Sequence, residues 1–169
     1  MHTKHIEIEN YDPKWLFNFH KIKNILVAKL DGFVLDIEHV GSTAVVGLCA
    51  KPILDIDVVI KDYSNFDLIK RKLSKLGYTC EGDLGIPDRF AFCYDESKSK
   101  LFRHHLYVCP VFSEALKKHI FLRNYLSAHE IERREYCKIK RKGAELYPDN
   151  ISKYIEYKSG FIDEIYKNM

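Results

Sequence analysis

Residues 37–59 read IEHVGSTAVVGLCAKPILDIDVV. An apolar stretch over 33–40 predicts a strand, Gly41-Ser42-Thr43 breaks it, and Thr43–Leu48 has room for a short helix. Pro52 then starts a second strand, Ile53–Ile60, apolar except for Asp55 and Asp57. Side chains alternate faces along a strand, so two carboxylates at i and i+2 point the same way. Crowding them among Ile, Leu and Val is costly unless something neutralises them. A divalent cation does so, and Mg²⁺ commonly binds through one or two carboxylates plus substrate phosphates. The Gly41-Ser42 turn offers backbone N–H groups and a hydroxyl to an anion. Asp55 and Asp57 are therefore candidate ligands for Mg²⁺ (or Mn²⁺), with Gly41 and Ser42 as a candidate phosphate cradle.

Outward from this stretch, Asp12-Pro13 opens a helix whose Trp15, Phe19, Ile22 and Leu26 recur at helical spacing. A second helix covers 65–76 and ends at Gly77. Short strands are expected over 78–81, 89–94 and 102–109. From Ser113 onward the pattern changes to three helices, about 113–127, 129–146 and 151–167. The expected fold class is α/β (α+β): a mixed sheet flanked by helices, then a C-terminal helical segment. The 169 residues suit one domain, 1–169, with a sheet core over 1–112 and helices over 113–169.

Composition excludes some functions. Hydrophobic residues make up 46% and charged residues 30%, as in a globular chain rather than a disordered one. No apolar run approaches the roughly 18 residues of a membrane span, so no membrane partner is expected. Residues 1–20 lack an apolar stretch and a small-residue cleavage site, which predicts no secretory signal and a cytoplasmic location. The five cysteines form no C-x-x-C pair, which argues against a zinc ribbon or a thioredoxin-type motif, and most of them read as reduced core residues. From Ser113 onward Lys and Arg outnumber Asp and Glu by three, the whole of the net charge of +3. That balance suits a small anionic ligand, and a nucleic-acid partner is not expected.

An apolar strand, Gly-Ser, twelve residues and then Asp-Ile-Asp resembles the nucleotidyltransferase superfamily of the DNA polymerase β-like fold. The wider stretches 37–48 and 51–59 resemble its GrpB-like family. So do His104-His105-Leu106-Tyr107-Val108, Phe121–Leu126, Tyr136–Lys140 and Tyr157–Phe161, so that the likeness runs from about Tyr11 to Ile165. It implies a nucleotidyltransferase-like mixed sheet and metal-dependent transfer of a nucleoside monophosphate from a nucleoside triphosphate to an acceptor. On that reading Arg123, Lys140 and Lys158, which fall in the family-like motifs, neutralise the triphosphate. Of the two adjacent histidines, His105 faces the carboxylates with Tyr107 and is the candidate proton acceptor or orienter. The chain departs from the family pattern at Val46, Tyr107 and Asn124, where Pro, His and Asp are usual. The superfamily also places a third carboxylate on a later strand, where this chain offers Arg103, His104, His105 and Tyr107 but no acid. That departure supports an alternative, a nucleotide or phosphometabolite binder without catalysis. A third reading is an RNA-interacting protein using the basic C-terminal helices. The base, the acceptor and the oligomeric state are not written in the sequence.

Overall fold

Alternation of two carboxylates with Leu, Ile and Val builds the middle of the sheet. In the computed structural model, which describes residues 5–169, the central strand β2 is Leu54–Ile60. The first four of the residues expected to form the domain, and of the twenty read for a signal, lie outside the described residues. Preceding β2 are α1 (Lys14–Leu30) and β1 (Asp36–Val40). After it come α2 (Phe66–Ser74), β3 (Thr79–Gly82), β4 (Phe90–Cys93), β5 (His104–Pro110), α3 (Glu114–Ala128), α4 (Glu130–Leu146) and α5 (Ile151–Tyr166).

The five strands form one sheet in the order β1-β2-β5-β4-β3. Only β2 and β5 run parallel, and the other neighbours are antiparallel. The result is the mixed sheet flanked by helices that the sequence predicts. Leu54, Ile56, Val58 and Ile60 of β2 join Leu106 and Val108 of β5 on one face. There they meet the buried stripe Trp15, Phe19, Ile22, Leu26 and Leu30 of α1 and Ile69 and Leu73 of α2. Period two on the strands matches a 3–4 spacing on the helices, so one core forms between them. The alternate residues, Asp55 and Asp57 among them, face the C-terminal helices, where Val59, Cys109 and Leu116 make a second small core.

Local chemistry sets the ends of these elements. Asp12 Oδ1 accepts the Lys14 N–H at 2.9 Å, and Ser113 Oγ accepts the Leu116 N–H at 3.2 Å to open α3. Asn150 Oδ1 does the same for α5 with the Lys153 N–H at 3.1 Å. Two of the departures from the expected boundaries have a clear local cause. β1 starts at Asp36 rather than Phe33, because the Phe33 N–H closes the turn onto Leu30 O at 2.9 Å. Residues 43–48 form no helix beyond a single 3-10 turn, Ser42–Ala44. Two β-branched valines and Gly47, at φ +81°, deny that segment helical continuation.

One expectation is corrected outright. Cys49 and Cys137 are not reduced core residues: they are joined as a disulfide, with Cα atoms 5.5 Å apart and a sequence separation of 88. The bond fastens the loop before β2 to α4. Cys80, Cys93 and Cys109 are free thiols. Among the described residues, no helix is long and apolar enough to cross a membrane.

Candidate active site: a cleft of one aspartate, two histidines and three lysines

The cleft opens where β1 ends beside the start of β2, with Val40 paired to Asp55. Gly41 turns the chain at φ +71° and ψ −173°, a region that side chains other than glycine's rarely enter. A Cβ at Gly41 would overlap Asp55 Oδ2 and stand 3.0 Å from its Cγ. The glycine is therefore needed twice, for the turn and for the approach to the carboxylate. Gly41, Ser42 and Thr43 form one wall of a cleft of about 490 Å³. Asp55, His105 and Tyr107 line it too, with Lys51, Lys140, Tyr154 and Lys158.

Parallel pairing of β2 with β5 puts His105 beside Asp55 and Tyr107 beside Asp57. His105 Nδ1 donates to Asp55 Oδ1 at 2.9 Å. Burial alone would raise the Asp55 carboxyl. The hydrogen bond from His105 and the charges of His105, His119 and Lys158 outweigh it and hold the group below the usual carboxylate range. Asp57 shares the face but sits one layer deeper, fully buried, and takes a hydrogen bond from His119 Nδ1 of α3 at 2.7 Å. Burial pushes the Asp57 carboxyl up. His119 is also raised: burial opposes this, but the Asp57 hydrogen bond and charge win. Asp57 Oδ1 is buried with no hydrogen-bond partner among the described residues.

The lysines crowd one another. Burial, with the charge of Lys51 added and Asp55 opposing, brings Lys158 down to about 8. Burial and the charges of Lys158 and Lys51 hold Lys140 well below the usual lysine range. Its Nζ donates to the Cys49 carbonyl and lies 4.9 Å from the centre of the Tyr136 ring. Lys51 and Lys158 both lie over Tyr154, at 5.7 and 4.9 Å from the ring centre. Three lysines gathered in a cleft with one carboxylate favour an anionic ligand.

Most of the residues picked out in sequence come together here: Gly41, Ser42, Asp55, His105, Lys140 and Lys158 line the cleft. Asp57 lies beneath it, behind His119. Arg123 stands elsewhere, because its guanidinium is spent on Glu38 Oε2 and the His39 carbonyl, the latter at 3.0 Å. His104 points to the opposite face. Its Nδ1 donates to the Phe102 carbonyl at 2.7 Å, so its Nε2 accepts the Tyr78 hydroxyl, also at 2.7 Å. His119, Arg89 and Tyr154 were not foreseen. Helical spacing from Leu116 through His119 and Arg123 to Leu126 marks the inner face of α3, but it names no partner 62 residues away.

Among the described residues, no group of three or more His, Cys, Asp or Glu side chains is arranged to hold a metal. The donor chemistry still fits a hard cation. One oxygen each of Asp55 and Asp57 is taken by an imidazole, and the other, Asp57 Oδ1 being buried, has no donor among the described residues. Mg²⁺ needs only one or two carboxylates when phosphate oxygens and water complete its shell.

Comparison with known proteins agrees with this architecture. The family described as GrpB protein matches residues 5–168. Glutamate-rich protein GrpB of Alkalihalophilus pseudofirmus is 32% identical over 94% of this chain and 92% of its own length. UPF0157 protein YqkA of Bacillus subtilis is 29% identical over 96% of this chain but 47% of its own, so the chain spans about half the length of that relative. The crystal structure of conserved protein GrpB from Enterococcus faecalis superposes with a TM-score of 0.85 at 29% identity, covering 96% of each chain. Cid1 in complex with its short product ApU matches at a TM-score of 0.55 and 12% identity, over 78% of this chain and 41% of Cid1, a likeness of fold.

Proposed function

The chain belongs to the GrpB family, and from that membership and the geometry of the cleft we propose that it is a metal-dependent nucleotidyltransferase. It moves a nucleoside monophosphate from a nucleoside triphosphate to an acceptor. The observation that carries the reading is the packing of Gly41 against Asp55 Oδ2 at the mouth of a cleft lined by Lys51, Lys140 and Lys158. Cid1, whose fold this chain shares, has been crystallised with MgGTP.

Each residue has a part in the proposal. The backbone at Gly41 and Ser42 and the ammonium groups of Lys51 and Lys158 receive the β- and γ-phosphates. Lys140 adds positive charge from the wall. Arg123, tied to Glu38, holds β1 to α3 instead of touching phosphate. Asp55 and Asp57 would hold Mg²⁺ or Mn²⁺, which supplies charge neutralisation at the reacting phosphate. The acceptor oxygen or nitrogen bonds to the α-phosphorus, the bridging α–β P–O bond breaks, and pyrophosphate leaves into the lysine cluster. The acceptor proton passes to His105 Nε2, since Nδ1–H is held by Asp55 Oδ1.

The test is incubation with α-labelled nucleoside triphosphates, Mg²⁺ or Mn²⁺ and cell extract. Labelled product from the wild type and none from Asp55→Asn is expected. Identical behaviour of the two proteins would overturn the reading. A second reading, binding without catalysis, is favoured by the burial of Asp57 behind His119. It predicts that nucleotide raises the melting temperature with no turnover under any metal.

A further inference from the structure

A second cavity, of about 440 Å³, opens on the far side of Arg89 and His119, which line both it and the first cleft. Its apolar wall is Ile86, Pro87, Ala115 and Tyr166. Its charged groups are unequally occupied. Glu114 is paired with Lys117 at 2.6 Å, and the Asp88 carboxylate is taken by the Tyr63 hydroxyl. The two bases have no acidic or hydrogen-bonding partner among the described residues. Arg89 lies 4.5 Å over the Tyr107 ring, with its Nε buried and unpartnered. Lys118 Nζ lies 5.4 Å from the Tyr166 ring centre.

The loop that supplies this wall is also conformationally costly. Leu84 and Asp88 both hold positive φ, at 51° and 56°, and Asp88 immediately precedes Arg89. Backbone strain of this kind persists where surrounding structure over-determines it, and ligand clamps are a common place for it. Here it delivers a guanidinium to the boundary between two cavities.

We propose that this second cavity is an acceptor subsite, and that the acceptor is a small molecule carrying an anionic group, carboxylate or phosphate. Arg89 and Lys118 receive that group, while Ile86, Pro87 and Ala115 cover the apolar body. A planar guanidinium suits an oxyanion. A cavity of this volume takes a metabolite-sized ligand rather than a polymer. The word acceptor rests on the nucleotidyl-transfer reading of the first cleft; the anion site itself does not.

The experiment follows ¹⁵N-labelled protein by NMR at low salt, through the amides of Ile86 and Ala115, the Arg89 Nε–H, and the amides of Gly41 and Ser42. Probes are succinate, glycerol 3-phosphate, a short oligouridylate, and, separately, an α,β-methylene ATP with Mg²⁺. Succinate or glycerol 3-phosphate should move the Ile86, Arg89 and Ala115 signals, and which one does so distinguishes the two anions. Ala115→Trp should abolish those shifts while keeping the nucleotide shifts at Gly41 and Ser42. Lys118→Gln, at an exposed position, should weaken the anion about tenfold, as loss of a charge-assisted contact does. Small anions that move only Gly41 and Ser42, or leave Ile86, Arg89 and Ala115 unmoved, overturn the proposal. So does a response to the oligouridylate alone, weakening steeply with salt. Failure of the nucleotide analogue to bind would count against the first cleft and leave the second to be judged on its own signals.

Discussion

Replacing Gly41 with alanine tests the closest approach in the cleft. Two costs add. The backbone at φ +71° and ψ −173° lies where an alanine is strained by about 1–3 kcal/mol. The new Cβ would also overlap Asp55 Oδ2 and sit 3.0 Å from its Cγ, so the carboxylate must swing away and lose its bond to His105. A hydrogen bond to a charged group is worth about 1.5–3 kcal/mol. Together they come to roughly 3–6 kcal/mol, which for a chain of this length lowers the melting temperature by about 6–24 °C. Gly32→Ala is the control: φ is +78° there, but nothing lies within 4 Å of its Cβ. It should cost only the backbone penalty of about 1–2 kcal/mol. Urea unfolding followed by circular dichroism measures both variants, and NMR of the His105 ring reports the loss of its partner. If the two variants agree within about 0.5 kcal/mol, near the limit of such comparisons, Asp55 is not pressed against the turn and the account of the cleft is wrong.

Other outcomes follow from the same geometry. Burial, opposed by Asp55 and reinforced by Arg123 and His20, brings His39 down to about 4 from the usual 6.5. The unfolded chain then binds more protons between those values, so stability is complete above about pH 6.5 and falls by about 3 kcal/mol as pH drops toward 4. Urea midpoints should show this limb in the wild type and lose much of it in His39→Gln. Lys158, brought to about 8 by burial and Lys51, should make pyrophosphate binding decline above that pH. Titration calorimetry between pH 7 and 9 should find the decline in the wild type and not in Lys158→Met. Reducing the disulfide, which closes a loop of 88 residues, should cost about 4–5 kcal/mol by the chain-entropy relation. An unchanged urea midpoint with a phosphine reductant would contradict the pairing.

The legible part of this protein was the part written at short range. Apolar residues at period two in 54–60 placed both aspartates on one face of a strand, and the Gly-Ser turn thirteen residues earlier marked residues that line the cleft. Trp15, Phe19 and Ile22 declared the inner face of α1 in the same way. These patterns depend on the pitch of the local backbone, which the sequence alone determines.

Tertiary structure decided the rest. Parity placed Asp55 and Asp57 together, but only the coverage of β2 by α3 made one a cleft residue and the other a buried partner of His119. Glu38 drew Arg123 away from the cleft, and Cys137 found Cys49 across a separation of 88. Those pairings join segments far apart in the chain, selected by which faces remain to be buried once the sheet has formed, and no periodicity within a segment encodes a partner in another.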